Sequence, residues 1–297
     1  MKILITGSSG FIGRSLKHFL ERKGVEVISY DQKDNPKDSI LDFQNLKSKM
    51  NGLAGIVHLA AMSQPKSTFE NPQDCVNINI GGTANVLEAV KLSKKKPWVI
   101  FASSREVFGS AKTLPITENT PRKPVSIYGI TKLAGEDLCR AYSESYFLKT
   151  RIVRFTSVYG REDDNLGRII PKFIILAQEN KPLTIYGTGL EMFDFTYIDD
   201  AIDGLWKCIQ EVQKSQKLHD DFILSFGKPV NLRELAGIII KEAKSKSKIK
   251  YLDSRSYSTN RCYADCKKAK EILGFKPKIN VREGIRLVIK EFKSRQP

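Results

Sequence analysis

The chain has 297 residues, 41% apolar and 28% charged, enough to bury a sizeable core in one or two domains. No apolar run nears the ~18 residues that a bilayer span needs, and the opening MKILIT passes straight into TGSSG without a signal-peptide core or cleavage pattern. The formal charge of +16, from 49 Lys and Arg against 33 Asp and Glu, suits an anionic partner, but no RNP-type or zinc-finger pattern accompanies the lysine clusters, which disfavours nucleic acid.

Residues 1–6 form an apolar run without alternation, as expected of a strand buried on both faces. Gly7, Gly10 and Gly13 come next, and then an amphipathic helix through Leu16, Phe19 and Leu20 that Gly24 ends. A second strand, VEVISYD, closes at Asp31. Strand, glycine turn, helix and strand in this order are the context that a dinucleotide fingerprint requires. The glycines permit a tight turn and close approach of a pyrophosphate to the helix N-terminus, so Gly7, Gly10, Phe11, Ile12 and Gly13 are candidate cofactor residues. Asp31 stands where a carboxylate would accept from the adenosine ribose, which favours NAD over NADP; Lys33 beside it argues the other way.

The strand–helix alternation continues. GIVHLAA (55–61) reads as a strand whose end, Leu59, Ala60 and Ala61, would border the cofactor. PWVIFASS (97–104) is a strand that delivers Ser104 to its C-terminal end, where ligands bind in open α/β sheets. Ser126 precedes a helix that carries Tyr128 and Lys132, and TRIVRF (150–155) is a further strand. Positions i and i+4 sit one above the other on a helix, about 5–6 Å apart at Cβ. A lysine there favours the phenolate, since an opposite charge within reach moves a pKa by roughly 1–3 units. Beyond residue 160 the pattern loosens, with helices predicted at 199–213, 231–243 and 281–295. The five cysteines, Cys75, Cys139, Cys208, Cys262 and Cys266, are scattered and odd in number, which points to a reducing cytoplasm and no structural metal.

The GxxGxxG spacing at Gly7–Gly13 with the YxxxK at Tyr128–Lys132 resembles the extended short-chain dehydrogenase/reductase superfamily, specifically the NAD-dependent nucleotide-sugar epimerases and dehydratases, over nearly the whole chain. The resemblance implies an α/β fold: a doubly wound, Rossmann-type parallel sheet in residues 1–160, with a segment at about 193–225 returning to it, and a smaller C-terminal α/β substrate domain in 161–297. It implies NAD as cofactor, Asp42 facing the adenine amine, and a nucleotide-diphosphate sugar as substrate. Asn79 fits the family's NxxGT pattern, either supporting the active site or as an ordinary polar helix residue. In the implied chemistry Tyr128 takes a proton from a sugar hydroxyl, Lys132 lowers the tyrosine pKa and binds the nicotinamide ribose, and Ser104 steadies the oxygen. A depression of three units asks about 4 kcal/mol of the nearby positive charges. The resemblance also implies a homodimer through the helices at 74–93 and 126–147.

The step after the first hydride transfer stays open. Relatives place reaction-determining residues after the catalytic hydroxyl, and here they are Arg105 and Glu106. Glu106 is either a general base or structural, and Arg105 pairs either with it or with a substrate carboxylate. Ser157 replaces a usual asparagine beside the sugar diphosphate, and Phe193 replaces a usual phosphate-binding arginine. Arg255 aligns with a second such arginine but in an altered setting, Ser256-Tyr257-Ser258, and Arg161 or Arg168 is an alternative clamp. The leading expectation is a nucleotide-sugar epimerase acting through a 4-keto sugar. A dehydratase or decarboxylase that uses Glu106 is the enzymatic alternative, and a catalytically silent RNA-binding member of the fold the other.

Overall fold

Alternation inside the first strand explains the unbroken apolar start of the chain. The computed structural model describes residues 1–161, 164, 166–253 and 261–294. Its strands are β1 (Lys2–Thr6), β2 (Glu26–Tyr30), β3 (Gly55–His58), β4 (Trp98–Ser104), β5 (Thr150–Phe155) and β6 (Ser157–Tyr159). Then come β7 (Leu183–Tyr186), β8 (Met192–Tyr197), β9 (His219–Leu224), β10 (Pro229–Asn231), β11 (Ile249–Leu252) and β12 (Arg261–Cys262). The helices are α1 (Phe11–Arg22), α2 (Phe43–Ser48), α3 (Pro65–Glu70), α4 (Pro72–Val76) and α5 (Gly82–Leu92). They continue as α6 (Ile127–Tyr146), α7 (Ile169–Gln178), α8 (Ile198–Lys214), α9 (Leu232–Glu242) and α10 (Val281–Ser294).

β1 sends Ile3 and Ile5 into one core cluster and Leu4 into another, so both faces of the strand are apolar. Six parallel strands form the main sheet in the order β2-β1-β3-β4-β5-β9. Leu16 and Leu20 of α1 and Leu205 and Ile209 of α8 seal one face; Val86 and Leu87 of α5 and Cys139 of α6 seal the other. Burying each such leucine or isoleucine contributes about 1.5–3 kcal/mol.

Local signals set several boundaries. Ser126 Oγ accepts from Gly129 N–H at 3.0 Å and starts α6, and Asn231 Oδ1 accepts from Glu234 N–H at 2.8 Å and starts α9. The long helix expected around Asn79 forms as one continuous helical run through α4 and α5, with a π-helical segment over Asn77–Gly81 between them. Downstream, β8 pairs with β10, β12 and β6, and β7 pairs with β11. The core on the α1–α8 face continues without a break into α7, α9 and α10.

Candidate active site

Thr6, His58 and Ser104 end neighbouring parallel strands, so the residues after them share one sheet edge. At that edge Gly7 turns with φ +70°, a backbone conformation open to glycine. A Cβ on Gly7 would stand 2.6 Å from Ala60 N, and one on Gly13 would stand 2.2 Å from Gly7 O. Glycine is therefore needed for the β1–α1 turn to lie against Leu59 and Ala60. Gly10 is the N-cap of α1 and offers no side-chain acceptor, which suits an anion over Phe11 and Ile12. Ser8 Oγ is buried in this turn with no hydrogen-bond partner among the described residues. Asp31 accepts from Ser9 N–H at 3.0 Å and Lys33 N–H at 2.9 Å, and each of its carboxylate oxygens has a second lone pair to offer. Chain and geometry thus fit NAD: a glycine cradle with a carboxylate, Asp31, beside it. Asp42, by contrast, is exposed and caps α2 by accepting from Asn45 N–H at 3.0 Å.

Ser104, Tyr128 and Lys132 come together as the sequence suggests. Ser104 Oγ accepts from Glu106 N–H at 3.2 Å and is also hydrogen-bonded to the Tyr128 phenol. Its single proton is thereby free to point at the phenolic oxygen. Lys132 is sealed and lies 5.8 Å from the centre of the Tyr128 ring. The expected depression of the phenol is absent from the protein alone. Burial pushes Tyr128 up, Ser104 and Arg168 pull it down, and Glu106 adds to the rise. Lys132 instead donates to Ala102 O at 2.8 Å, and burial lowers its own pKa to about 8. The cause is burial: the phenol and the amine have both lost water.

The sequence reading missed how the site is braced. Asn79 accepts from Met62 N–H at 2.8 Å and donates to Met62 O at 3.1 Å and Thr131 Oγ1 at 2.9 Å. One carboxamide therefore ties the loop after β3 to the turn of α6 between Tyr128 and Lys132. His58 stands between Thr6 Oγ1 at 2.6 Å and Thr83 Oγ1 at 3.1 Å. Ser103 donates to Glu136 at 2.6 Å, directly beneath Ser104. Asn79 and Thr83 both fall in the NxxGT segment, the one signal that pointed here.

Both Glu106 oxygens are occupied. Oε1 pairs with Arg105 Nη2 at 3.2 Å, and Oε2 accepts from Ser126 Oγ at 3.5 Å, so the glutamate bridges the turn after β4 to the start of α6. The Arg105 guanidinium lies 5.3 Å from the centre of the Phe193 ring and hydrogen-bonds the Cys262 thiol. Phe193 and Cys262 are neighbours across β8 and β12. Ser157 opens β6, two residues beyond Phe155, which pairs with Ser104. Arg255 lies outside the described residues. Arg161 pairs with Asp199 at 2.6 Å and Arg168 with Asp164 at 3.1 Å.

A doubly wound sheet with a glycine cradle and a Ser–Tyr–Lys cluster on one edge defines a dinucleotide-dependent enzyme class. A family model described as the NAD dependent epimerase/dehydratase family matches residues 3–223, and the chain belongs to that family. A putative UDP-glucose 4-epimerase of Methanocaldococcus jannaschii is 31% identical over 98% of this chain and 98% of its own length. The UDP-glucuronate 4-epimerase of Thermodesulfobacterium geofontis is 29% identical over 96% of this chain and 94% of its own. Among solved structures, UDP-glucuronic acid 4-epimerase from Bacillus cereus, in complex with UDP-glucuronic acid and NAD, superposes with a TM-score of 0.88 at 27% identity, covering 99% of both chains. Among the described residues no helix is long and apolar enough to cross a membrane.

Proposed function

We propose that this protein is an NAD-dependent nucleotide-sugar 4-epimerase acting on a UDP-sugar. The observation that carries the reading is the cluster of Ser104, Tyr128 and Lys132 on the sheet edge beside the glycine cradle. Gly7, Gly10, Phe11, Ile12, Gly13, Asp31 and Leu59–Ala61 are assigned to the cofactor, and Ser157 to the substrate. NAD, when bound, supplies hydride acceptance and return at C4 of the sugar and a positive ring charge beside the phenol. Tyr128 as phenolate takes the O4 proton as the C4–H and O4–H bonds break and C4=O forms. Ser104 donates to that oxygen, which holds the ketone in register with Tyr128. Lys132 keeps positive charge under the phenol and away from solvent. On the return step Tyr128 gives its proton back to O4, so the product is an isomer of the substrate. Glu106, with both oxygens engaged, fits a brace better than the base of an elimination.

The same reading places the protein in a reducing cytoplasm, consistent with its five free cysteines. It also makes a homodimer through the helices at 74–93 (the end of α4 and α5) and 126–147 (α6), where Val76, Leu92, Ile127 and Ile130 are exposed apolar side chains. The substrate domain is assigned to residues 161–297, apart from the return of about 193–225 to the nucleotide domain.

The test is incubation of the purified protein with UDP-glucose and UDP-glucuronate, reading the products by mass and NMR. An isobaric C4 epimer is expected, and loss of water or carbon dioxide would overturn the assignment. Tyr128→Phe should lower kcat by about 10²–10⁴, the usual worth of a positioned acid–base group.

A further inference from the structure

We infer that His58 is a positioning residue for the reaction, held as the neutral tautomer with its hydrogen on Nε2. It joins the wall of the glycine cradle to the helical segment that braces Tyr128. Its consequence for turnover rests on the epimerase reading above, whereas its tautomer and its consequence for NAD do not. The tautomer follows from the groups at either end, all of them sealed from water. Thr83 Oγ1 donates its single proton to the Asn79 carbonyl at 2.6 Å, because a carbonyl only accepts. Toward His58 Nε2, 3.1 Å away, Thr83 therefore only accepts, so Nε2 carries the hydrogen. Enclosure and the charge of Lys132 both oppose a second proton on the ring, which leaves Nδ1 bare. Nδ1 then accepts from Thr6 Oγ1 at 2.6 Å, and Thr6 in turn accepts from Ala60 N–H at 3.3 Å. Donation thus runs one way, from Ala60 through Thr6, His58 and Thr83 to Asn79 O.

Both ends of this chain of bonds meet the site. Ala60 N is the atom that a Cβ on Gly7 would strike at 2.6 Å, so it lies in the wall of the glycine cradle. Asn79 belongs to the π-helical segment Asn77–Gly81, and a single π turn inside a helix is frequent at functional sites. Its carboxamide donates to Thr131 Oγ1, which donates to the Tyr128 carbonyl at 2.8 Å. His58 pins that segment to the sheet through Thr83. The Phe101 ring gives a second link, with its centre 5.7 Å from the imidazole and 4.9 Å from Lys132 Nζ.

His58→Gln keeps one acceptor and one donor, whereas His58→Phe keeps a ring and removes both. Thr83→Val breaks the same chain one link on and stands in for His58→Phe if that variant does not fold. Imidazole nitrogen NMR of the NAD-loaded wild type, assigned against His58→Gln, should show His58 with its hydrogen on Nε2. NAD affinity is then measured for each protein, and kcat and KM with UDP-glucose and UDP-glucuronate at saturating NAD. His58→Phe and Thr83→Val should weaken NAD about tenfold or more and lower kcat by a similar factor, the scale of one buried group left unmatched. Their KM for the sugar should stay within about threefold of wild type, and His58→Gln should stay within about threefold in every constant. A ring with its hydrogen on Nδ1, or with two, would overturn the inference. Wild-type kcat and NAD affinity with only a lowered melting temperature in His58→Phe or Thr83→Val would reduce His58 to a structural residue, which also overturns it. So would a His58→Gln protein as impaired as His58→Phe. A wild type that turns over neither sugar would remove the epimerase reading itself, and the tautomer and NAD affinities would still decide the role of His58.

Discussion

Lys132 Nζ donates to the backbone carbonyl of Ala102 at 2.8 Å, which ties the helix that carries Tyr128 to the strand that carries Ser104. The amine is only 3% exposed, and burial lowers its pKa to about 8, with Cys75, Cys139 and Glu136 pulling it upward. Between about 8 and the unfolded value near 10.4 the unfolded chain binds more protons than the folded one, so stability rises with pH in that window. At pH 7 the protein therefore carries the full cost of a buried ammonium. Lys132→Met should keep or raise the melting temperature of the cofactor-free protein at pH 7 while abolishing turnover. The difference from wild type should shrink between pH 8 and 10. Calorimetry across that range checks it, and a fall of more than about 5 °C, on the order of 1–2 kcal/mol for a chain of this size, would show that the bond to Ala102 outweighs the desolvation.

The frame was legible in the sequence because its signals are local. Gly7, Gly10 and Gly13 follow an apolar strand directly, and Tyr128 and Lys132 need only one turn of helix to meet. The hidden part depends on groups brought together by packing: Asn79 with Thr131, 52 positions apart, and Thr6 with His58, also 52 apart. The direction of the Tyr128 shift was equally out of reach, since burial decides it and spacing does not report burial.

Asn79 offers a second test. Asn79→Ala deprives both polar groups of Met62 and the hydroxyl of Thr131 of a partner. Each buried group left unmatched costs about 1–3 kcal/mol. Because the loop it braces starts at Leu59–Ala61, we expect NAD affinity to fall about tenfold or more, in step with the first such loss. Titration of the variant with NAD by intrinsic fluorescence measures it, and unaltered affinity in a destabilised protein would confine Asn79 to the fold.

Beneath Ser104, Arg154 grips Glu136 twice, with Nε–Oε1 at 2.7 Å and Nη2–Oε2 at 2.8 Å, and both side chains are sealed from water. Asp221 and Arg122 extend the network at 2.7 and 3.2 Å. Removing one partner strands the other's charge. Glu136→Ala should cost about 3–5 kcal/mol, whereas Glu136→Leu combined with Arg154→Met should cost clearly less than the two single changes summed. Urea melts of wild type, Glu136→Leu, Arg154→Met and the double variant give the coupling. Additive losses would mean that the pair acts as two independent side chains.

His58 sets the response to acid. It is enclosed by Thr6, Thr83 and the Phe101 ring, and burial, followed by the charge of Lys132, lowers its pKa to about 3. Between 6.5 and 3 the unfolded chain takes up a proton that the folded chain refuses, so stability falls as pH drops through this window. Asp194 works in the opposite sense. Burial raises it from 3.8 to about 6, so between those values the folded chain binds the extra proton and gains stability as pH falls. Comparing wild type with His58→Gln cancels the Asp194 contribution. From pH 7 to pH 5 the wild type should lose about 2 kcal/mol more than His58→Gln, at 1.4 kcal/mol per unit below 6.5. Urea melts at the two pH values decide it: parallel losses would mean that His58 accepts its proton inside the fold.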